Sequence, residues 1–150
     1  GLKVNASYAS GDDYGTKAGE GYALSGSYAV GGIATVGAGK MYNADDSEAV
    51  IMNVTGSVGP IGLAAERYTA TTAASVDTDT TTLGATYTMG SVTLGVETMK
   101  EESAGTVSSD ELTWGIHQTV APGLIAFAEM TSDDKAASEK TTAFGLTMKF

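Results

Sequence analysis

Several residue types are scarce or missing in this sequence. Its 150 residues include no cysteine, which excludes a disulfide framework, a thiolate metal site and a cysteine nucleophile. There are only 2 prolines and 1 histidine, and Lys plus Arg total 8 against 18 acidic residues. The resulting formal net charge of −10 disfavours nucleic-acid binding. No phosphate-cradling motif occurs, since the glycines are spread along the chain.

Long apolar runs are also missing. No stretch of about 18 apolar residues occurs, which excludes a membrane-spanning helix. The mean hydropathy is +0.00, and the chain contains 20 glycines. A transmembrane β-barrel is expected to be this neutral, because lipid-facing and lumen-facing residues alternate along each strand. A soluble all-β domain also fits the length.

The segment from Thr141 to Phe150 alternates strictly. Apolar residues take every second position, namely Phe144, Leu146, Met148 and Phe150. A period of two predicts a strand with one apolar and one polar face. A C-terminal strand of this kind that ends in Phe resembles the terminal strand of bacterial outer-membrane β-barrels, which the assembly machinery recognises. The resemblance implies that Phe144, Leu146, Met148 and Phe150 form such an assembly signal. The resemblance implies that lipid covers the apolar face and that the protein lines a hole in a membrane.

Ten segments of this kind follow one another, and two kinds of connection alternate between them. The short connections are rich in glycine: Gly31-Gly32, Gly59-Pro60, Gly90-Ser91 and Ala121-Pro122-Gly123. The long connections are acidic: Gly11 to Gly21, Asn43 to Glu48, Thr69 to Asp79, Glu101 to Glu111 and Thr131 to Lys140. Outer-membrane barrels have long outer loops and tight periplasmic turns. We therefore predict an all-β, antiparallel, up-and-down transmembrane β-barrel of about ten strands, with residues 1–150 in one domain.

Acidic residues concentrate in the long connections. Fifteen of the 18 acids lie there and none in the short turns: Asp12, Asp13, Glu20, Asp45, Asp46, Glu48, Asp77, Asp79, Glu101, Glu102, Asp110, Glu111, Asp133, Asp134 and Glu139. Loops are polar in general, but that does not explain why one set is acid-rich and the other acid-free. Two chemically different sides of a barrier would explain it.

Adjacent aspartates in these connections are candidate Ca²⁺ ligands, because carboxylate oxygens suit this ion. The candidates are Asp12, Asp13, Asp45, Asp46, Asp133 and Asp134. None matches the spaced calcium-loop motif, so a site would have to form between loops. Solvated carboxylates without a metal are the alternative.

Charged residues also fall on the polar faces of the predicted strands. The alternation assigns Lys3, Glu66, Glu97, His117, Glu129 and Lys149 to these faces. The assignment of Glu129 is the least certain, because Ile125 and Phe127 share its parity. In the third segment, Gly37 and Gly39 leave the apolar face undetermined. We interpret the six charged residues as pore-lining groups that tune ion selectivity, with solvated rim residues as the alternative.

An enzyme is not expected. His117 is the only imidazole available for acid–base chemistry, and the serine and aspartate candidates lie far along their strands from it. A lumen-lining or hydrogen-bonded structural histidine is the preferred interpretation.

Several motifs in order resemble general-diffusion porins of alphaproteobacteria, of the kind found in Rhodobacter-like species. They are Tyr-Ala-Ser-Gly-Asp-Asp-Tyr at 8–14, Val-Ala-Pro-Gly-Leu at 120–124 and the ending at Phe150. The resemblance implies a homotrimer of barrels with 16 strands and a constriction loop, in a chain about twice as long. We interpret this chain as the C-terminal part of such a porin or a shortened relative, with a complete ten-stranded barrel as the alternative. The constriction residues cannot be assigned here.

The predicted function follows from this resemblance. It is a water-filled channel of the bacterial outer membrane for ions and small hydrophilic solutes, in contact with lipid and lipopolysaccharide. The acidic mouth predicts a preference for cations, and the family also implies Ca²⁺ at loop carboxylates. The alternative is a secreted acidic all-β adhesin or calcium-binding surface protein.

Overall fold

The computed structural model describes residues 1–9, 21–43, 46–72, 74–135 and 140–148. Regular structure in these ranges consists of ten β-strands: β1 (Leu2–Ala9), β2 (Gly21–Val30), β3 (Ala34–Asn43), β4 (Glu48–Val58), β5 (Ile61–Thr71), β6 (Asp77–Met89), β7 (Val92–Ser103), β8 (Thr106–Ala121), β9 (Leu124–Asp133) and β10 (Lys140–Met148). Among the described residues, no helix has the length and apolar character needed to cross a membrane.

The strands form one sheet in chain order. Each strand pairs with the next in antiparallel fashion, so β1 and β10 are the end strands of the sheet. This order confirms the predicted all-β, antiparallel, up-and-down architecture. The Cα register also decides which residues share a face, because successive side chains of a strand point to opposite sides.

One face of the sheet is apolar and exposed. Ala49 is the only buried hydrophobic residue among those described, whereas Leu63 is 58% and Phe144 83% exposed. A water-soluble all-β domain would cover such a face with a second layer. The structure instead leaves the apolar side chains open, as hydrocarbon contact requires.

The register settles the orientation of β3. Val36, Ala38 and Lys40 pair with Val54, Met52 and Val50 on β4, and so lie on the apolar face. Gly37 and Gly39 therefore belong to the polar face. The sequence pattern could not show this, because glycine has no side chain to mark a face.

Turn chemistry explains the short connections. Gly31, Gly32, Gly59, Gly90 and Gly123 all have positive φ angles, which glycine adopts at little cost. These angles allow the tight turns that join antiparallel strands. The predicted positions of the four short turns are confirmed.

The prediction of a long connection from Glu101 to Glu111 is wrong. β7 continues to Ser103 and β8 begins at Thr106, so the turn contains only Ala104 and Gly105, with φ angles of 49° and 76°. Eight acids assigned to loops lie in strands: Glu48, Asp77, Asp79, Glu101, Glu102, Asp110, Glu111 and Asp133. Beyond the hydrocarbon both faces meet water, so a strand can continue there with polar residues that resemble a loop.

Candidate functional site

The polar face of the sheet is the candidate site. One hydrogen-bonded row runs across five strands, through Lys3, Ser27, Gly37, Asn53 and Glu66. Farther along, Glu97 pairs with Thr113, Gly115 with Glu129, and His117 with Phe127. Of the six predicted lining residues, Lys3, Glu66, Glu97, His117 and Glu129 thus share this face. Lys149 lies outside the described residues.

Charge on this face is mostly negative. The register places six carboxylates on it: Glu66, Glu97, Glu101, Glu111, Glu129 and Asp133. Lys3 is the only lysine or arginine on this face within the described ranges. The sequence analysis did not place Glu101, Glu111 and Asp133 on the polar face, because it assigned them to loops. Each of them lies two residues from Met99, Thr113 or Thr131 on the same strand, and this continued alternation could have revealed their face.

His117 and Glu129 form a pair that the sequence did not predict. The Nε2 atom of His117 lies 2.8 Å from Oε1 of Glu129. The two residues are diagonal neighbours on β8 and β9, because His117 is opposite Phe127. The imidazole also stacks on the Phe127 ring, with a centroid distance of 6.1 Å. His117 is therefore hydrogen-bonded and held in orientation by two contacts from β9.

A β-bulge places Glu129 on this face. Ala121 pairs with Leu124, but Thr119 pairs with Ile125, so Val120 is an extra residue on β8. Without Val120, odd-numbered residues of β8 would pair with even-numbered residues of β9 along the whole strand. A one-residue shift moves every side chain of a strand to the opposite face. The bulge thus directs Glu129 to the polar face, together with Ile125 and Phe127.

Small residues leave an open recess beneath these groups. A cavity of about 430 Å³ has Gly62, Gly84, Gly95 and Gly115 in its lining, together with Glu97, His117 and Glu129. A Cβ atom at Gly115 would lie only 2.9 Å from Cγ of Glu129. Glycine at this position therefore lets the Glu129 side chain lie flat across β8 toward His117.

The aspartates proposed for calcium do not form one site in the described part of the chain. Oδ1 of Asp46 accepts a hydrogen bond of 2.6 Å from the Tyr42 hydroxyl. Asp133 accepts hydrogen bonds from the Ser109 hydroxyl and from the Lys135 amide, and Asp134 is exposed. No group of three potential metal ligands converges among the described residues. Asp12, Asp13 and Asp45 lie outside them, and calcium binding stays a prediction.

Comparison with known proteins agrees with this geometry. A family model described as Gram-negative porin matches residues 1–149. A porin structure refined at 1.8 Å resolution superposes with a TM-score of 0.85 and 19% sequence identity, covering 99% of this chain and 58% of that one. A triple and a double variant of Rh. blastica porin give TM-scores of 0.78 and 0.76, with 15% and 14% identity. Each match covers 100% of this chain and 52% of the Rh. blastica porin chain. Comparison with curated protein sequences gives no significant match.

The chain belongs to the Gram-negative porin family. It spans 52–58% of the length of these solved porins and shares their fold. Family membership confirms the predicted location in the bacterial outer membrane. The porin family is a family of channel proteins. The alternative of a secreted adhesin is not favoured, because the porin family model matches residues 1–149.

Proposed function

We propose that the porin containing this chain forms a water-filled channel for passive diffusion of ions and small hydrophilic solutes, with a preference for cations. One observation supports this proposal above all. The polar face carries six carboxylates and, within the described ranges, Lys3 as its only lysine or arginine. A wall of one charge sign raises the local concentration of the opposite ion.

The arrangement of these carboxylates strengthens the expected negative electrostatic potential at the polar face. Glu66 and Glu97 form no ion pair among the described residues, so no cation of the wall neutralises them. Glu129 is close to His117, which compensates its charge only when the imidazole is protonated. Interactions between exposed charges extend over about 8 Å at physiological ionic strength. Carboxylates on β5, β7, β8 and β9 therefore influence ions along a broad part of the wall.

Reversal potentials in a salt gradient test the proposal. The full-length porin is reconstituted in a planar bilayer, and the wild type is compared with the double variant Glu66→Gln/Glu97→Gln. We expect cation preference in the wild type and a preference at least twofold weaker in the double variant. Asp110→Asn is the matched control, because Asp110 is opposite Lys100 on the other face; it should leave the preference unchanged. Anion preference in the wild type would refute the selectivity proposal.

Assembly of three such barrels is a further part of the proposal, supported by the family resemblance. Chemical cross-linking of the full-length porin in native membranes tests it. A ladder that ends at three subunits is expected, and a ladder that ends at one or two would contradict it.

A further inference from the structure

The polar face is interrupted by an apolar patch near the loop end of β3, β4 and β5, which we name the inner apolar patch. Ile51 is opposite Tyr68, and Ala49 is opposite both Met41 and Ala70. These positions alternate in step with Asn53 and Glu66 on the same strands, so their side chains belong to the polar face. The patch consists of Met41, Ala49, Ile51, Tyr68 and Ala70.

The patch is unusual for a surface that faces water. β4 contains four successive apolar residues, from Ala49 to Met52, and such a run is typical of a strand that is covered on both faces. Hydrocarbon accounts for Val50 and Met52, which lie on the apolar face. On the other side, Met41 is 43% and Tyr68 37% exposed. Exposed apolar patches with a polar rim mark binding surfaces.

A glycine gives the patch a low profile. A Cβ atom at Gly39 would lie only 3.2 Å from Cγ2 of Ile51 and 3.1 Å from Cβ of Ser25. Because Gly39 has no side chain, Ile51 extends over the backbone of β3. The patch is therefore a broad platform on which a flat apolar group can lie.

An acidic cavity adjoins the platform on the side of the short turns. Its volume is about 330 Å³, and its lining includes Asn53, Thr55, Glu66, Thr82 and Glu97. Glu66 is two residues from Tyr68 on β5, which corresponds to about 6.6 Å along the strand. Platform and carboxylate are thus close enough for one small molecule to contact both.

The charges around the platform are negative on this face. Glu66 and Glu97 form no ion pair among the described residues, and Glu101 lies on the same row as Tyr68, two strands away. Lys3 is on the row of Glu66 but four strands away, at about 19 Å. Arg67 follows Glu66 in the chain, but it lies on the opposite face and pairs with Asp79.

We propose that the platform and the acidic cavity together bind amphiphilic cations, which are solutes that join an ammonium group to an aromatic or branched apolar body. The ammonium donates a charge-assisted hydrogen bond to the Glu66 carboxylate and a second one to the Thr82 hydroxyl, which is opposite Glu66. The apolar body packs on Ile51 and stacks on the Tyr68 ring. This inference rests on the proposed channel and names a class of solute that the channel retains during passage.

The other occupant considered is a further segment of the full-length porin. A segment without a cation of its own would withdraw Glu66 from water without a partner, which is costly. An ammonium supplies that partner and brings its own apolar group. Charge complementarity therefore favours the solute.

Block of the potassium current through the full-length porin in planar bilayers tests the proposal. The probes are phenethylammonium and ethylammonium, which differ by one aromatic ring. The half-blocking concentration of phenethylammonium should be lower by about fivefold, the factor expected from one aromatic contact. The double variant Ile51→Thr/Tyr68→Thr should bring the two values together. Glu66→Gln should raise both values and leave their ratio unchanged.

Two controls keep the effect specific to the platform. Tyr68→Phe retains the ring and should retain the difference between the probes. Ile125→Thr removes an apolar side chain of the same face on β9, near the short turns, and should also retain it. Reversal potentials in a salt gradient are recorded on the same samples. Equal block by the two probes with cation preference intact would refute this inference alone, whereas anion preference would refute the selectivity proposal.

Three further results would overturn the inference. One is an unchanged ratio between the probes in the double variant, and another is block by the anion phenylacetate at the same concentration as phenethylammonium. The third concerns access from water. A cysteine in the variant Ile51→Cys should react with a water-soluble thiol reagent as readily as one in Asn53→Cys. Protection of position 51 alone would show that a segment of the porin covers the patch.

Discussion

The two faces of the sheet carry charges in opposite ways. On the apolar face, the cations Lys40, Arg67 and Lys100 each have a carboxylate within 3.3 Å, and all of them lie near the loop end. On the polar face, carboxylates extend along the sheet, and among the described residues of this face the one contact between a basic and an acidic side chain is that of His117 with Glu129. On the apolar side, three cations are paired and lie near the loop end, whereas charge on the polar side is largely uncompensated.

This difference follows from the two solvents. In hydrocarbon an isolated charge is costly, so the apolar face has its charges near the loop end and pairs three of its cations there. Water solvates carboxylates without partners, so the polar face can keep a net charge, which in the proposed function acts on passing ions. The same chain therefore meets two opposite electrostatic requirements on alternate residues.

Deletion of Val120 should have the largest effect on this arrangement. Removal of the bulge exchanges the faces of β9, so that Glu129 turns toward lipid and Leu124, Ala126, Ala128 and Met130 turn toward water. We expect the full-length porin to fail to assemble, as measured by the loss of its heat-modifiable band in gel electrophoresis. Deletion of Ala74, in the connection between β5 and β6, is the control and should assemble. Normal assembly after the Val120 deletion would refute the role of the bulge.

Two neighbouring residues on β4 allow a direct comparison of the faces. Val54 is on the apolar face and Thr55 on the polar face, near the middle of the strand. Val54→Lys should destabilise the barrel by about 2–4 kcal/mol, because a lysine at the bilayer midplane is costly. Thr55→Lys should change stability by no more than about 0.5 kcal/mol. Denaturant unfolding from lipid vesicles measures both, and equal effects would contradict the assignment of the faces.

The smallest effect on stability is expected from substitutions in the ion pair of Lys40 and Glu48 on the apolar face. Both side chains are substantially exposed, at 49% and 36%, and exposed ion pairs contribute little to stability. Lys40→Gln, Glu48→Gln and the double variant should unfold in detergent at the wild-type midpoint within error. A clear loss of stability in either single variant that the double variant recovers would show that the pair has a structural role.

Alternation in the sequence was sufficient to predict much of the fold. The strict period of two in β4 and β10 predicted the strands and their apolar faces. Glycine pairs such as Gly31-Gly32 located the short turns. These features are local, so residue order alone reveals them. The alternation of their own strands also indicated the face on which the register places Lys3, Glu66, Glu97 and His117. The face of Glu129 depends on the register of β8 against β9, and a pore-lining role of these residues stays a prediction.

Other features depend on pairing between strands. The bulge at Val120 and the contact between His117 and Glu129 arise from the register of β8 against β9, which neither strand determines alone. The strand ends at Glu101, Glu102 and Glu111 resembled a loop because water surrounds both faces there. Polarity therefore marks where the hydrocarbon ends, and it does not mark where a strand ends.

Spin labels on β4 test the central claim, that lipid covers one face and water the other, most directly. The chain has no cysteine, so single cysteines at Met52, Asn53, Val54 and Thr55 can be labelled in the full-length porin in vesicles. Labels at Met52 and Val54 should respond to oxygen, which concentrates in lipid. Labels at Asn53 and Thr55 should respond to a water-soluble nickel chelate. An equal response of all four positions to either reagent would contradict the account.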